Sequence, residues 1–330
     1  PQTPKLPNSP PPHLPKAMHI NYLGEIISIG VAFSWTVAAL ASEVGSRRLG
    51  VFVMNVWRMG TTLVLSALLM WWALGVPYPA YAGTEAWIWL LASGVVGYFF
   101  GDWCLFNSYL TIGARMGQLF MTLAPMFTAL AAWGMLGQRL SWQSLLAMTV
   151  TLSGIAISVL GRDEQHHIGL GLPLRGILYG IGAALGQGVG LVLSKVGLDC
   201  YVADVPAPLT EQTEPFLPFA SNMIRCVAGL TCFSLWLVAS GQATRLRRSV
   251  ADHRGLSAMV VAVFSGPFVG VGFSLMAVQH TAAGIASTLM AMTPILILLP
   301  SRWLFGQPIT WKAVAGAVIS VVGVSMFFLL

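Results

Sequence analysis

A chain of 330 residues with 56% apolar and only 8% charged side chains cannot clothe a soluble domain, which carries roughly a quarter charged residues and tolerates exposed apolar patches of only a few hundred Å². A bilayer must cover the surplus. The formal net charge of +6 does not indicate a nucleic-acid partner, because the basic residues sit at segment ends and in short loops and form no soluble basic face.

Residues 1–17 (PQTPKLPNSPPPHLPKA) are Pro-rich and aperiodic, and are expected to be disordered or extended; Met18 follows directly and is a candidate start. Ten apolar runs come next, at 20–42, 51–73, 86–107, 114–136, 142–160, 175–198, 216–240, 256–279, 282–304 and 312–330. Each approaches the roughly 20 residues a helix needs to cross the hydrocarbon core. Trp71, Trp72, Trp87, Trp89, Tyr109, Trp133 and Trp236 lie near run ends, where amphipathic rings favour the headgroup region. The first run has a second reading as a signal peptide, with Ala39-Leu40-Ala41 before Ser42 as the cleavage site. Cys104, Cys200, Cys226 and Cys232 form no CxxC pair and have no His at ligand spacing, so they read as packing residues and no metal is expected.

The sequence repeats. Ser42-Glu43-Val44-Gly45 recurs as Ser194-Lys195-Val196-Gly197, Asn55-x-x-Arg58 as Asn222-x-x-Arg225, and Gly137-Gln138-Arg139-Leu140-Ser141-Trp142 as Gly306-Gln307-Pro308-Ile309-Thr310-Trp311. The last match also lays Met121 on Met290, Pro125 on Pro294 and Gly154 on Gly323. Such agreement in order marks a duplication and argues against cleavage of the first run. Each copy holds an odd number of spans, so the second must lie upside down relative to the first, the inverted-repeat plan of many secondary transporters. The expected fold is an all-α membrane protein with ten transmembrane helices in two inverted five-helix repeats, at 18–161 and 175–330, joined by a linker at 162–174.

From about residue 22 onward the chain resembles the EamA-like transporters of the drug/metabolite transporter superfamily. The resemblance rests on the five-plus-five layout, the Pro125 and Pro294 helices and the Gly-Gln-Arg-Leu-Ser-Trp turn, similar to the family's Gly-Glu-Arg-Leu-Ser/Thr junction. Gln138 and Gln307 stand where the family usually has Glu, and Pro308 replaces an Arg. The resemblance implies a monomeric or weakly associated carrier of small organic metabolites, often an exporter of amino acids or related compounds.

Intramembrane charges are costly and usually face a cavity or a partner. Arg58 lies about seven residues into the second run and Asp102 about five before the end of the third, at similar depths, roughly 7–11 Å from one face. They can pair, either as a structural bridge or with Asp102 as a proton or substrate-amine site. Arg225 has no acid at the matching place, where the sequence reads Gly270-Val271-Gly272-Phe273-Ser274. It can attract a substrate carboxylate, meet backbone carbonyls or reach Glu25. Asn55, Asn107, Gln118, Gln187 and Asn222 can hydrogen-bond between helices or bind solute. His280 falls at a turn and is expected to face solvent. Pro125 and Pro294 each remove a helical hydrogen bond and are expected to kink helices that line the cavity, with Trp35, Tyr98, Trp103 and Phe120 as candidate walls. Gly182-x-x-x-Gly186 and Gly186-x-x-x-Gly190 read as close-packing motifs, since no strand precedes them as a phosphate loop requires.

The chain therefore reads as a carrier of a small-molecule solute in a lipid bilayer, driven by a coupling proton, another ion or the solute's own gradient, with no cofactor and no catalytic residue. The expected place is the plasma (inner) membrane of a bacterium. An intramembrane enzyme and a non-transporting sensor are the rivals; the first lacks a base beside Ser153 and the second a soluble signalling domain. Loops after odd-numbered runs and their flanks hold 11 of the 17 basic residues, which favours those loops inside and the termini outside, although relatives are expected to keep both termini inside.

Overall fold

A computed structural model describes residues 22–137, 141–160, 173–305 and 311–329. The N-terminal segment, the 162–174 linker up to residue 172 and most of the two Gly-Gln turns, with Gln138, Gln307 and Pro308, lie outside the described residues. All regular structure within them is helical.

In the first half, α1 (Leu23–Leu49) and α2 (Val51–Leu74) are joined by Gly50 alone, whose φ of 84° an L side chain rarely adopts. α3 (Thr84–Ser93) widens into a π-helical stretch at Gly94–Asp102 and continues as α4 (Trp103–Met121), which breaks at Gly113. α5 (Ala124–Leu136) and α6 (Trp142–Leu160) complete the half. In the second half, α7 (Leu174–Asp204) leads to a loop holding the short α8 (Thr210–Thr213), then α9 (Leu217–Ala239) and the short basic α10 (Ala243–Ser249). α11 (His253–Val263) passes through a second π-helical stretch, Phe264–Phe268, into α12 (Val269–His280). α13 (Ala283–Met290), α14 (Thr293–Leu296), α15 (Leu298–Phe305) and α16 (Trp311–Leu329) follow.

Seven helical stretches are long and apolar enough to cross a membrane, and three shorter apolar helices occupy Ala124–Leu136, Leu145–Gly154 and Val314–Gly323. Two expectations about boundaries are corrected. The first run does not stop at residue 42, because Glu43 pairs with Arg47 one turn on, 2.7 Å away, and carries the helix to Leu49. The fourth and ninth runs are not continuous helices with a mid-span proline. Each breaks first, after Met121 and Met290, and Pro125 and Pro294 sit in the first turn of the restarted helix, where a missing N–H removes no intrahelical bond.

The halves dock by exchanged contacts. α1 packs on α11, α12 and α13, while its repeat mate α7 packs on α3, α4 and α5; α2 packs on α9, and α6 on α16. Individual contacts obey the same exchange. A Cβ on Gly24 would meet Thr281, and one on its mate Gly176 would meet Ile112, the residue in Thr281's place; Gly270 abuts Trp35 as Gly101 abuts Gln187. Such reciprocal contacts are the signature of an approximate two-fold relation.

Small residues set how close these helices come, as membrane helix packing requires. A Cβ on Gly186 would stand 2.7 Å from the Gly101 Cα, and one on Gly190 would stand 2.8 Å from the Gly97 Cα. The glycine motif of α7 thus meets the glycines of the first π-helical stretch backbone to backbone. Outward faces are apolar. Trp71, Trp72, Trp133 and Trp236 are all more than half exposed, as rings in a headgroup belt should be. Tyr109 departs from that expectation: it is buried, and its hydroxyl accepts a hydrogen bond from Gln118. A buried phenol keeps its place only with such a partner.

Candidate functional site

Asn55 and Arg58 lie one turn apart on α2, so both reach the same side of the helix. Arg58 Nη2 donates to Asp102 Oδ2 at 3.2 Å and Nη1 to Asn55 Oδ1 at 2.9 Å. Gln187, from α7 of the other half, donates to Asp102 Oδ1 at 2.8 Å and to the Gly97 carbonyl at 3.3 Å. Phe106 presents its ring face 4.6 Å from the Arg58 guanidinium carbon. Both Asp102 oxygens are thereby occupied and the pair is sealed, with Arg58 6% and Asp102 3% exposed. Matched depth on antiparallel helices brings these two together, as the sequence indicated.

Arg225 on α9 occupies the equivalent position with a different outcome. It is 3% exposed, its Nε has no acceptor, and among the described residues it forms no hydrogen bond or ion pair. Its guanidinium carbon lies 4.5 Å from the centre of the Tyr98 ring, a cation–π contact worth about 0.5–2 kcal/mol. Asn222 does not accept from Arg225 as Asn55 does from Arg58: its Oδ1 accepts from the Tyr98 hydroxyl and its Nδ2 donates to the Pro267 carbonyl. Glu25, a candidate partner by sequence, accepts from the Thr281 hydroxyl at 2.9 Å instead. Gly97 makes room for the arginine, since a Cβ there would lie 3.1 Å from Arg225 Nη2.

Arg225 lines a cavity of about 50 Å³ between the halves, room for a few waters. Its wall is built in matched pairs. The register that lays Gly137 on Gly306 also lays Gln118 on Ser287, Met121 on Met290 and Ala124 on Thr293, and all six line the cavity. Trp35 and Gln187, equivalent in α1 and α7, line it as well. The cavity therefore lies between the halves, with four matched pairs among its lining residues. A larger groove of about 650 Å³ runs along the outer surface between α2, α9 and α10, beside Trp57 and Arg247; it opens outward and holds no buried unpaired polar group.

Of the residues singled out by sequence, Arg225, Gln118, Gln187 and Pro294 line the cavity together with Trp35. Asp102, Arg58, Asn55, Asn222 and Tyr98 form the shell behind it. Pro125 is buried next to the lining residue Ala124 but does not itself line the space. Asn107 donates to the Trp103 carbonyl one turn back at 2.7 Å and stays away from the cavity. Trp103 packs edge-on to Tyr179, and Phe120 packs on Gly180, so neither ring is a wall. His280 is exposed as expected, although it is the last residue of α12 and not part of the turn that follows. Sequence reasoning passed over Met121, Met290, Ser274, Ser287 and Thr293. The repeat held the signal, because Met121 and Met290 were already superimposed, a turn before the two prolines.

Residues 22–160 and 174–329 each match the EamA-like transporter family. No curated protein matches the chain. One solved structure, described only as "Crystal structure of protein", is similar with a TM-score of 0.67 at 16% identity, over 93% of this chain and 96% of that one, a likeness of fold. With both halves matched, the chain belongs to the EamA-like transporter family of the drug/metabolite transporter superfamily.

Proposed function

We propose that this chain is a secondary transporter, an exporter of a small organic metabolite such as an amino acid or a related compound. The seven long apolar helices and three shorter ones are compatible with ten spans in two inverted halves, for which alternating access is the rocking of one half against the other. The observation that carries this reading is the cavity between the halves, lined by matched residues from both and by a buried arginine that has no hydrogen bond or ion pair among the described residues. Its volume is below the several hundred Å³ of sites that hold a whole metabolite, so binding one requires the halves to part. Family membership favours a carrier over an intramembrane enzyme.

Either the solute's own gradient or an ion gradient drives the cycle. The carrier works as a monomer or weak homo-oligomer in the plasma (inner) membrane of a bacterium, with the basic loops around Arg245, Arg247 and Arg248 inside. Purified protein in proteoliposomes, offered a panel of amino acids and amines, should catalyse uptake and efflux of at least one. Complete inactivity across the panel would overturn the reading. Orientation is checked separately with Thr244→Cys and Ala207→Cys, both at exposed positions; an impermeant thiol reagent on intact cells should reach only the second.

A further inference from the structure

Arg225 stands in the cavity wall with uncommitted N–H groups. Its neighbours offer less. The Ser274 hydroxyl donates to the Val271 carbonyl at 2.8 Å, the Thr293 hydroxyl to the Met290 carbonyl at 3.0 Å, and the Gln187 amide to Asp102 and Gly97. Among the described residues lining the cavity none is acidic; Gln118 donates to the Tyr109 hydroxyl, Ser287 accepts from the Thr128 hydroxyl, and Trp35, Met121, Leu191, Val271 and Met290 supply the apolar part of the wall. Two arginines and one aspartate leave this buried cluster with a surplus positive charge, because Asp102 is saturated by Arg58 and Gln187. A buried cation without a counter-ion is costly, and the Tyr98 ring offsets only part of that cost.

Resting on the transporter reading, we propose that the solute is a small monocarboxylate with an apolar body. Its carboxylate takes the Arg225 fork as the missing counter-ion, and an amino group, where the solute has one, is not recognised. A guanidinium fork matches two carboxylate oxygens at once. The apolar body lies against the indole of Trp35 and the paired thioethers of Met121 and Met290. An ammonium group would find no carboxylate in the wall and would add to the surplus charge.

The test uses matched triples on the full chain in nanodiscs: leucine, leucinamide and 4-methylpentanoate, then phenylalanine, phenylalaninamide and 3-phenylpropanoate. Binding is read by calorimetry and by the shift in unfolding midpoint. At least one acid and its deamino analogue should bind within a few-fold of each other, with the amide roughly tenfold or more weaker, the size of one charge-assisted contact. Arg225→Gln should remove the preference for acid over amide, whereas Arg225→Lys should keep the preference at reduced affinity and so shows that the site is still folded. Amides binding as well as acids, or an acid preference that survives in folded Arg225→Gln, would overturn the carboxylate assignment and leave the transporter reading standing. If no member of either triple binds and the proteoliposome panel is silent too, the transporter reading falls and this assignment falls with it.

Discussion

Arg58 and Arg225 stand at the same place in the two halves, each three residues after an asparagine, and meet opposite surroundings. Arg58 has its asparagine, an aspartate and a ring face, and is closed off from the cavity. Arg225 has only a ring face, because Val271 stands in the aspartate's place and Tyr98 has taken the asparagine oxygen. The framework is close to two-fold symmetric while its chemistry is not. On the proposed reading, a duplicated pair of buried arginines becomes one structural bridge and one binding group through two local differences, the acid at 102 and the hydroxyl at 98.

The largest expected effect lies on the paired side. Asp102→Asn leaves the Arg58 charge buried without a counter-ion, a loss of about 3–5 kcal/mol where one partner of a buried pair is removed. It should lower folded yield and the melting temperature in detergent, and Arg58→Gln added to it should restore part of both. Unchanged melting in both single variants would break the comparison. Next, Gly186→Ala drives a Cβ into the backbone of the facing helix and should cost about 1–3 kcal/mol by overpacking. Gly30→Ala, with nothing within 4 Å, should melt like the parent.

On the unpaired side, Arg225→Gln loses the Tyr98 cation–π contact, about 0.5–2 kcal/mol, but also relieves a buried charge without a counter-ion, so it should not destabilise as Asp102→Asn does. Destabilisation as large as that of Asp102→Asn would mean that Arg225 has a structural partner and that the two sites are alike. The smallest and most discriminating change is Tyr98→Phe. It removes one buried hydrogen bond, about 1 kcal/mol, keeps the ring beneath Arg225 and frees the Asn222 oxygen to accept from the arginine as Asn55 does. Carboxylate affinity should fall several-fold in calorimetry, and unchanged affinity would remove Tyr98 from the explanation.

Much of this arrangement was legible in the sequence, for physical reasons that can be named. Duplication fixed the register, helix rise fixed the common depth of Arg58 and Asp102, and the glycines of α7 announced a close neighbour. What escaped needs three-dimensional contact. Nothing in the local sequence says that Gly94–Asp102 and Phe264–Phe268 widen into π-helical turns, nor that the Tyr98 hydroxyl reaches α9. Tyr109 looked like a headgroup residue by its position just past the end of the third run, yet the turn at Gly113 brings Gln118 back onto its hydroxyl. Proline was read as a mid-helix kink because a sequence does not show that the helix has already stopped four residues earlier, at Met121 and Met290.

Alternation of the inter-half cavity between the two membrane faces is the claim on which the rest depends. Ala291, at the break between α13 and α14, lines that cavity through a small side chain with no hydrogen bond to lose. In a background without the four free cysteines, Ala291→Cys can be challenged with an impermeant methanethiosulfonate in right-side-out and inside-out vesicles. Modification from both faces, each abolishing transport, is the result this account predicts; modification from one face alone, however long the exposure, would contradict it.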